Sequence, residues 1–155
     1  AGLVSEAGVP PAAAAGAARG RRAPRQGTRV RRLGGPGARC VACMPSGLYG
    51  QGFAFDGELP TEAGVGAKRL KELESRARAE KQTQLFIETP YRNAAMLDAL
   101  VAHCQATTLI CVATDLSLET ESIKTMNGAQ WKSLLGAGKA PDFHKKPTVF
   151  LLLAQ

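Results

Sequence analysis

The segment QLFIETPYRN at residues 84–93 decides the fold, because its composition changes from that of a strand to that of a helix. The apolar run at residues 85–87 is typical of a buried strand. Thr89 has the side-chain oxygen that is preferred at a helix N-cap, and Pro90 suits the first helical position, where an N–H is not needed. We therefore predict that a strand ends and a helix begins inside this segment.

Four different polar groups follow the strand, namely the carboxylate of Glu88, the hydroxyl of Thr89, the phenol of Tyr91 and the guanidinium of Arg92. In open α/β sheets, ligands bind at the carboxyl ends of strands, so these residues form a candidate site. The alternative is that Glu88 and Arg92 form only a local ion pair and that Thr89 only caps the helix. The spacing alone does not separate the two interpretations.

From residue 53 onward the sequence alternates between strand and helix patterns. Strands are predicted at residues 53–59, 85–88, 107–113, 121–125 and 148–153, and helices at residues 67–81, at residues 91–104 and from Asn127 onward. This order indicates one mixed α/β sheet with the apolar segments 107–113 and 148–153 at its centre. A second polar strand end follows at Thr114 and Asp115, and we expect it to lie directly beside the first.

Motifs for catalysis by side chains are missing from the sequence. It contains no P-loop, no Rossmann glycine motif and no His-based triad, and neither His103 nor His144 adjoins a Ser or Cys in a recognisable arrangement. The sequence therefore favours a binding cleft for a cofactor that carries its own reactive group.

Residues 11–39 account for the positive net charge of the chain. Eight of the 20 basic residues are arginines of this segment, which has no acidic residue, so the other residues carry 12 basic and 13 acidic groups. The segment is almost wholly Ala, Arg, Gly and Pro, which buries too little apolar surface to offset the entropy of ordering, and we predict that it is irregular or disordered. Three interpretations stay open: a basic arm that binds RNA or another polyanion, a frame-shifted piece of an ordinary α/β unit, or a loosely helical surface segment.

The four cysteines form no strong metal or disulfide pattern. Cys40 and Cys43 have metal-ligand spacing, but a zinc motif needs a second such pair, so we expect no metal. Cys111 lies in an apolar strand pattern, where a thiol acts as a small hydrophobe. We therefore expect a reducing, cytoplasmic compartment. No apolar run approaches the ~20 residues of a membrane-spanning helix.

Several segments resemble the tetrapyrrole-methylase superfamily, and more closely its branch of small-subunit ribosomal RNA methyltransferase I. They are VSEAGVP at residues 4–10, SGL at 46–48, FAFDGELP at 53–60, FIETPYR at 86–92 and KPTVFL at 146–151. The counterparts in that branch are VSDAGTP, SGL, FxFxGFLP, FYESPHR and the closing strand. The ETPYR portion after an apolar strand is the most specific of these similarities.

The resemblance implies two α/β domains with S-adenosylmethionine in the cleft between them, and a homodimer. Residues 1–49 then correspond to a remnant of the N-terminal domain, and residues 50–155 to the C-terminal mixed α/β sheet domain. Because that remnant lacks most of the family's first domain, including its Gly-rich loop, we expect the chain to be a piece of a longer protein.

The resemblance also implies site residues. It assigns the cofactor to Ser5, Glu6, Ala7, Gly8, Thr89, Ala113 and Thr148. From the polar strand ends we predict in addition that Glu88, Tyr91, Arg92 and Asp115 line the substrate cleft, with a structural ion pair or cap as the alternative role. The implied reaction is methyl transfer from S-adenosylmethionine to an RNA or a tetrapyrrole-like acceptor. Residues 113–117 (ATDLS) replace a charged segment of the ribosomal branch, so the acceptor stays open. The alternative function is a non-enzymatic RNA-binding module that uses residues 11–39.

Overall fold

The computed structural model describes Ser46, Leu48, residues 52–116 and residues 118–154. In chain order the elements are β1 (Gly52–Glu58), α1 (Ala63–Glu80), β2 (Gln82–Ile87), a 3₁₀ turn (Pro90–Arg92), α2 (Asn93–His103), β3 (Leu109–Thr114), β4 (Ser122–Asn127), α3 (Gly128–Gly136) and β5 (Thr148–Leu153). The predicted order of strands and helices is confirmed. The cofactor residues predicted at 5–8 and the arginine-rich segment at 11–39 lie outside the described residues, so the division into two domains stays a prediction.

The five strands form one mixed sheet in the order β1-β2-β5-β3-β4. β1 and β2 are parallel and are joined by α1, the helical crossover that a parallel pair needs. β5 is antiparallel to both of its neighbours, β2 and β3, and β4 is antiparallel to β3 at the edge. β3 and β5 are therefore interior strands, as predicted, and β4 is the predicted edge strand. The expectation that the ends of β2 and β3 lie directly side by side is wrong, because β5 separates them.

The sheet has an apolar core on each face. On the helix side, Phe86 and Phe150 stack with ring centroids 5.8 Å apart, and Leu70 of α1 and Leu97 of α2 belong to the same cluster. The opposite face carries a second cluster that includes Leu85 and other residues of β2, β3 and β5, together with Leu48. Every residue of β5 is buried, which explains why this strand is continuously apolar instead of alternating.

The indole of Trp131 anchors α3 to the sheet. Its side chain is fully buried, and its Nε1–H donates to the carbonyl of Ile110 over 2.8 Å. α3 itself begins at the predicted residue, because Asn127 accepts a hydrogen bond from Gln130 N and receives the reciprocal bond of a capping box. None of the helices in the described part of the chain is long and apolar enough to cross a bilayer.

Two local predictions at helix starts are corrected. α1 begins at Ala63 and not at residue 67, so Gly64 and Gly66 lie in its first turn. Gly66 fits there because a Cβ at this position would lie 2.8 Å from the carbonyl oxygen of Pro60. Thr89 makes no side-chain capping bond: a 3₁₀ turn begins at residue 90, and α2 follows only afterwards.

Candidate functional site

The polar strand ends meet at one edge of the sheet. Ile87 of β2 and Ala113 of β3 both lie opposite Val149 of β5, and Thr114 lies opposite Thr148 in the next row. The carboxyl ends of β2 and β3 and the amino end of β5 thus share this edge, which we call the polar edge. It brings together two of the predicted cofactor residues, Ala113 and Thr148, with the start of the segment that carries Thr89.

Glu88 and Arg92 form a local ion pair at the polar edge. The carboxylate of Glu88 is 3% exposed, and its Oε2 lies 3.6 Å from Arg92 Nε. Its Oε1 accepts a 2.8 Å hydrogen bond from the backbone N–H of Thr89, and the guanidinium of Arg92 also reaches the Thr61 carbonyl at 3.4 Å. The Glu88 carboxylate therefore fixes the chain between β2 and the 3₁₀ turn.

The exposed Thr89 has a hydroxyl that is only weakly engaged. It makes no side-chain capping bond to the 3₁₀ turn, and its side-chain contact among the described residues is a long 3.4 Å approach to Glu88 Oε1. By contrast, the hydroxyl of Thr148 is buried and approaches Thr114 Oγ1 at 3.4 Å and the Lys146 carbonyl at 3.1 Å. Ala113 is fully buried and pairs with strands on both sides. Of these three, Thr89 offers the side chain that is accessible to a ligand.

Asn93 organises the polar edge, although no local pattern in the sequence selects it. Its side chain is 1% exposed, and its Nδ2 donates to the carbonyls of Phe143 and Lys146 at 2.8 Å each and to Thr148 Oγ1 at 3.1 Å. Its own Oδ1 is buried without a hydrogen-bond partner. One amide thus holds the loop before β5 against the start of α2.

Asp115 ends β3 in a constrained turn. Its φ is +52°, its N–H donates to the Pro147 carbonyl at 3.0 Å, and its Oδ2 accepts from Thr120 Oγ1 at 2.9 Å. Left-handed Asp is tolerated because its short polar side chain bonds locally. The carboxylate is 6% exposed. Asp115 therefore joins the end of β3 to the start of β5 and is not directed at open solvent.

Two hollows lie on the surface of the described residues. One, of about 260 Å³, adjoins the polar edge and is lined by Pro90, Tyr91, Lys145 and Pro147. The other, of about 470 Å³, lies along α3 and is lined by residues that include Asn127, Gln130 and Lys139. Neither hollow is lined by Thr89, Ala113 or Thr148. Tyr91, predicted in the substrate cleft, is the predicted site residue that borders a hollow.

Two groups with shifted pKa values lie away from the polar edge, next to α1. Burial raises the pKa of the Asp56 carboxyl, although Arg69 and Arg76 at 3.7 and 3.5 Å lower it in part. Burial and the neighbouring Glu74 carboxylate raise the pKa of the Cys104 thiol to about 12. Such a thiol stays protonated at neutral pH, so Cys104 is not an activated nucleophile.

Metal-binding clusters of three or more His, Cys, Asp or Glu side chains do not occur within residues 52–116 and 118–154 or at Ser46 and Leu48. Cys40 and Cys43, which have metal-ligand spacing, lie outside the described residues.

Comparison with known proteins identifies the relatives of the chain. No protein-family model matches it. It is 30% identical over 151 residues to "Ribosomal RNA small subunit methyltransferase I" of Escherichia coli O157:H7, covering 97% of this chain and 50% of that protein. It is 32% identical over 123 residues to the protein of the same name from Mesorhizobium japonicum, covering 79% of this chain and 40% of that protein. The predicted resemblance to the tetrapyrrole-methylase superfamily is confirmed.

Solved structures of tetrapyrrole methylases share the fold. The cobalt precorrin-4 methyltransferase CbiF superposes with a TM-score of 0.55 at 11% identity, over 90% of this chain and 58% of that one. Uroporphyrin-III C-methyltransferase from Thermus thermophilus, complexed with S-adenosylhomocysteine, superposes with a TM-score of 0.51 at 17% identity, over 89% of this chain and 58% of that one. The predicted α/β fold is thus confirmed.

The chain spans half or less of the length of the curated relatives that it matches. The activity, acceptor and partners of the whole protein are therefore proposals, and so are the roles of the predicted site residues.

Proposed function

We propose that the chain is a methyltransferase that uses S-adenosylmethionine, with the polar edge forming one wall of the cofactor cleft. The proposal is supported by similarity to two proteins named ribosomal RNA methyltransferases, one of them aligned over 97% of this chain. It is also supported by the meeting of the ends of β2 and β3 with the start of β5 at one edge. We further propose an RNA or tetrapyrrole-like acceptor, a homodimer and a cytoplasmic location.

Few side chains of the polar edge are accessible to the cofactor. Thr89 has an accessible hydroxyl that suits the amino or hydroxyl groups of S-adenosylmethionine, and the buried Glu88 carboxylate holds the backbone of Thr89 in place. The side chains of Ala113 and Thr148 are buried within the sheet, so their proposed part is to shape the wall of the cleft. Residues 5–8 would complete the cofactor site.

The proposed role of these residues is to position the cofactor and the acceptor. When bound, S-adenosylmethionine would supply an activated methyl group on its sulfonium sulfur for transfer to the acceptor. Holding reactants in line supplies about 7–11 kcal/mol toward lowering a bimolecular barrier. The Glu88–Arg92 pair, at 3.6 Å, holds Thr89 and Tyr91 at fixed places between β2 and α2. We propose that Glu88 and Arg92, together with Asp115, orient the acceptor or close the cleft.

Calorimetric titration with S-adenosylhomocysteine tests the proposal. We expect saturable binding to the 155-residue chain, weakened about tenfold by Thr89→Val because one hydrogen bond of about 1.4 kcal/mol is lost. Thr107→Val is the matched control, since Thr107 is exposed just before β3, at the opposite edge of the sheet. Heat that does not saturate, or equal weakening by both variants, would contradict the proposed cleft.

The second candidate function is a non-enzymatic RNA-binding module based on residues 11–39. It is favoured by eight arginines in a segment without acidic residues. Such a module binds any polyanion, and each phosphate contact to a single strand adds about −0.7 to the slope of log affinity against log salt. An RNA titration at two salt concentrations, beside the calorimetry, separates the functions: steep salt dependence without S-adenosylhomocysteine binding supports the module alone.

A further inference from the structure

The side chain of Tyr91 is exposed and belongs to neither of the two core clusters. Its side chain is 66% exposed, although it follows the buried Pro90 and lies between β2 and α2. Large aromatic side chains in solvent expose a π-face on which a planar ring can stack. The position also adjoins the polar edge, so a ring stacked on Tyr91 would lie next to the proposed methyl-transfer site.

Lys145 is held beside Tyr91 by the backbone. Its N–H donates to the Pro90 carbonyl at 3.2 Å, and its ammonium lies 5.8 Å from the centre of the Tyr91 ring, near the outer limit of a cation–π contact. Its φ is +58°, a left-handed conformation that a lysine adopts only where its surroundings impose it. The bonds from Asn93 to the Phe143 and Lys146 carbonyls impose this loop.

The ammonium of Lys145 is available for an anion. Among the described residues it forms no ion pair, whereas its neighbour Lys146 pairs with Asp142 at 3.2 Å and Arg92 pairs with Glu88. The hollow therefore combines an exposed aromatic face with a cation that no carboxylate neutralises.

The residues that line this hollow indicate the chemical class of its ligand. Its volume of about 260 Å³ has room for one planar ring system against the Tyr91 ring. Pro90 and Pro147 add apolar walls beside the Tyr91 ring. A flat heterocycle linked to a phosphate matches this lining, and that combination is a nucleotide.

We infer that Tyr91 and Lys145 position one unpaired nucleotide of a single-stranded RNA acceptor, with its base stacked on the Tyr91 ring and its phosphate on the Lys145 ammonium. The inference rests on the proposed methyltransferase function. It assigns Tyr91 and Lys145 as positioning residues for an RNA acceptor strand.

Fluorescence anisotropy with a labelled single-stranded RNA tests the inference on the full chain. Heparin competitor and about 200 mM salt suppress sequence-independent binding by the arginine-rich segment. We expect Tyr91→Ala to weaken RNA binding about 5- to 100-fold, the range measured for loss of base–aromatic stacking, whereas Tyr91→Phe stays within about twofold. Lys145→Gln should reduce the slope of log affinity against log salt by about 0.7–1.

Lys132→Gln is the matched charge control, because Lys132 is exposed on α3, outside the hollow at the polar edge. Equal affinity of wild type and Tyr91→Ala overturns the inference, as does an identical loss of salt slope in Lys132→Gln. Displacement of the RNA by uroporphyrin III in a Tyr91-dependent manner also overturns it, in favour of a tetrapyrrole acceptor.

The two proposals fail in different ways. The S-adenosylhomocysteine titration of the wild-type chain tests the cofactor cleft separately, because no acceptor strand is present in it. Cofactor binding with Tyr91-independent RNA binding refutes the nucleotide site alone. Tyr91-dependent RNA binding without any cofactor binding refutes the methyltransferase and keeps the nucleotide site.

Discussion

Replacing Asn93 by Asp should destabilise the protein more than any comparable change at a helix start. The substitution keeps the shape of the side chain but removes the donor that bonds the Phe143 and Lys146 carbonyls and the Thr148 hydroxyl. The amide has two N–H groups, which the three acceptors share, so about 1 kcal/mol is lost for each of two hydrogen bonds. In addition, a carboxylate at a 1% exposed position faces only oxygen atoms. An uncompensated buried charge costs about 3–5 kcal/mol, so we expect a loss in that range at pH 7.

Urea denaturation followed by the fluorescence of the single tryptophan, Trp131, measures the loss. The indole is fully buried, so unfolding changes its environment completely. Asn93→Ala is the milder variant: it loses the same bonds but also removes the unpaired Oδ1, for a net cost of about 2 kcal/mol. The stability deficit of Asn93→Asp should shrink as the pH falls toward the pKa of the new carboxyl, since the protonated acid donates one hydrogen bond again.

Asn127→Asp is the matched control, because Asn127 accepts from Gln130 N as an N-cap and Asp caps equally well. We expect a change within about 0.5 kcal/mol there. If Asn93→Asp costs less than about 1 kcal/mol, or no more than Asn127→Asp, then Asn93 does not hold the loop and the account of the polar edge is wrong.

Two other predictions concern α1 and its neighbours. Gly66→Ala should lower the free energy of unfolding by about 1 kcal/mol, because the new Cβ would lie 2.8 Å from the Pro60 carbonyl oxygen. Gly64→Ala should raise the free energy of unfolding by a similar amount, because no atom lies within 4 Å of the new Cβ and Ala favours the helix. Burial and Glu74 raise the pKa of Cys104 from its ordinary value of 9.0 to about 12 in the folded state, so the thiol contributes a loss of stability of about 1.4 kcal/mol per pH unit as the pH rises between these values. Cys104→Ser should remove this contribution and make the fall in stability less steep. Chemical denaturation checks both, and equal slopes for wild type and Cys104→Ser would refute the second.

The elements could be predicted because their signals are local. β5 is apolar from Val149 to Leu153, and its six residues agree with the predicted segment 148–153. The order of the strands could not be predicted in the same way. A continuously apolar strand indicates burial on both faces, but it does not specify its neighbours, so the insertion of β5 between β2 and β3 had no signal in the sequence.

The candidate site was predicted only where its contacts are local. The Glu88–Arg92 pair follows from a spacing of four residues, and it is present. Asn93 was missed because its partners, the Phe143 and Lys146 carbonyls, lie 50 and 53 residues away along the chain. Lys145 was missed for the same reason, since only the fold brings it to Tyr91.

An NMR titration of the ¹⁵N-labelled chain with S-adenosylhomocysteine tests most directly the claim that the polar edge forms a wall of the cofactor cleft. We predict saturable shifts of the amide signals of Thr89, Ala113 and Thr148, with the signals of residues along α3 unchanged. Shifts confined to the α3 hollow, or no saturable shift at these three amides, would contradict the claim.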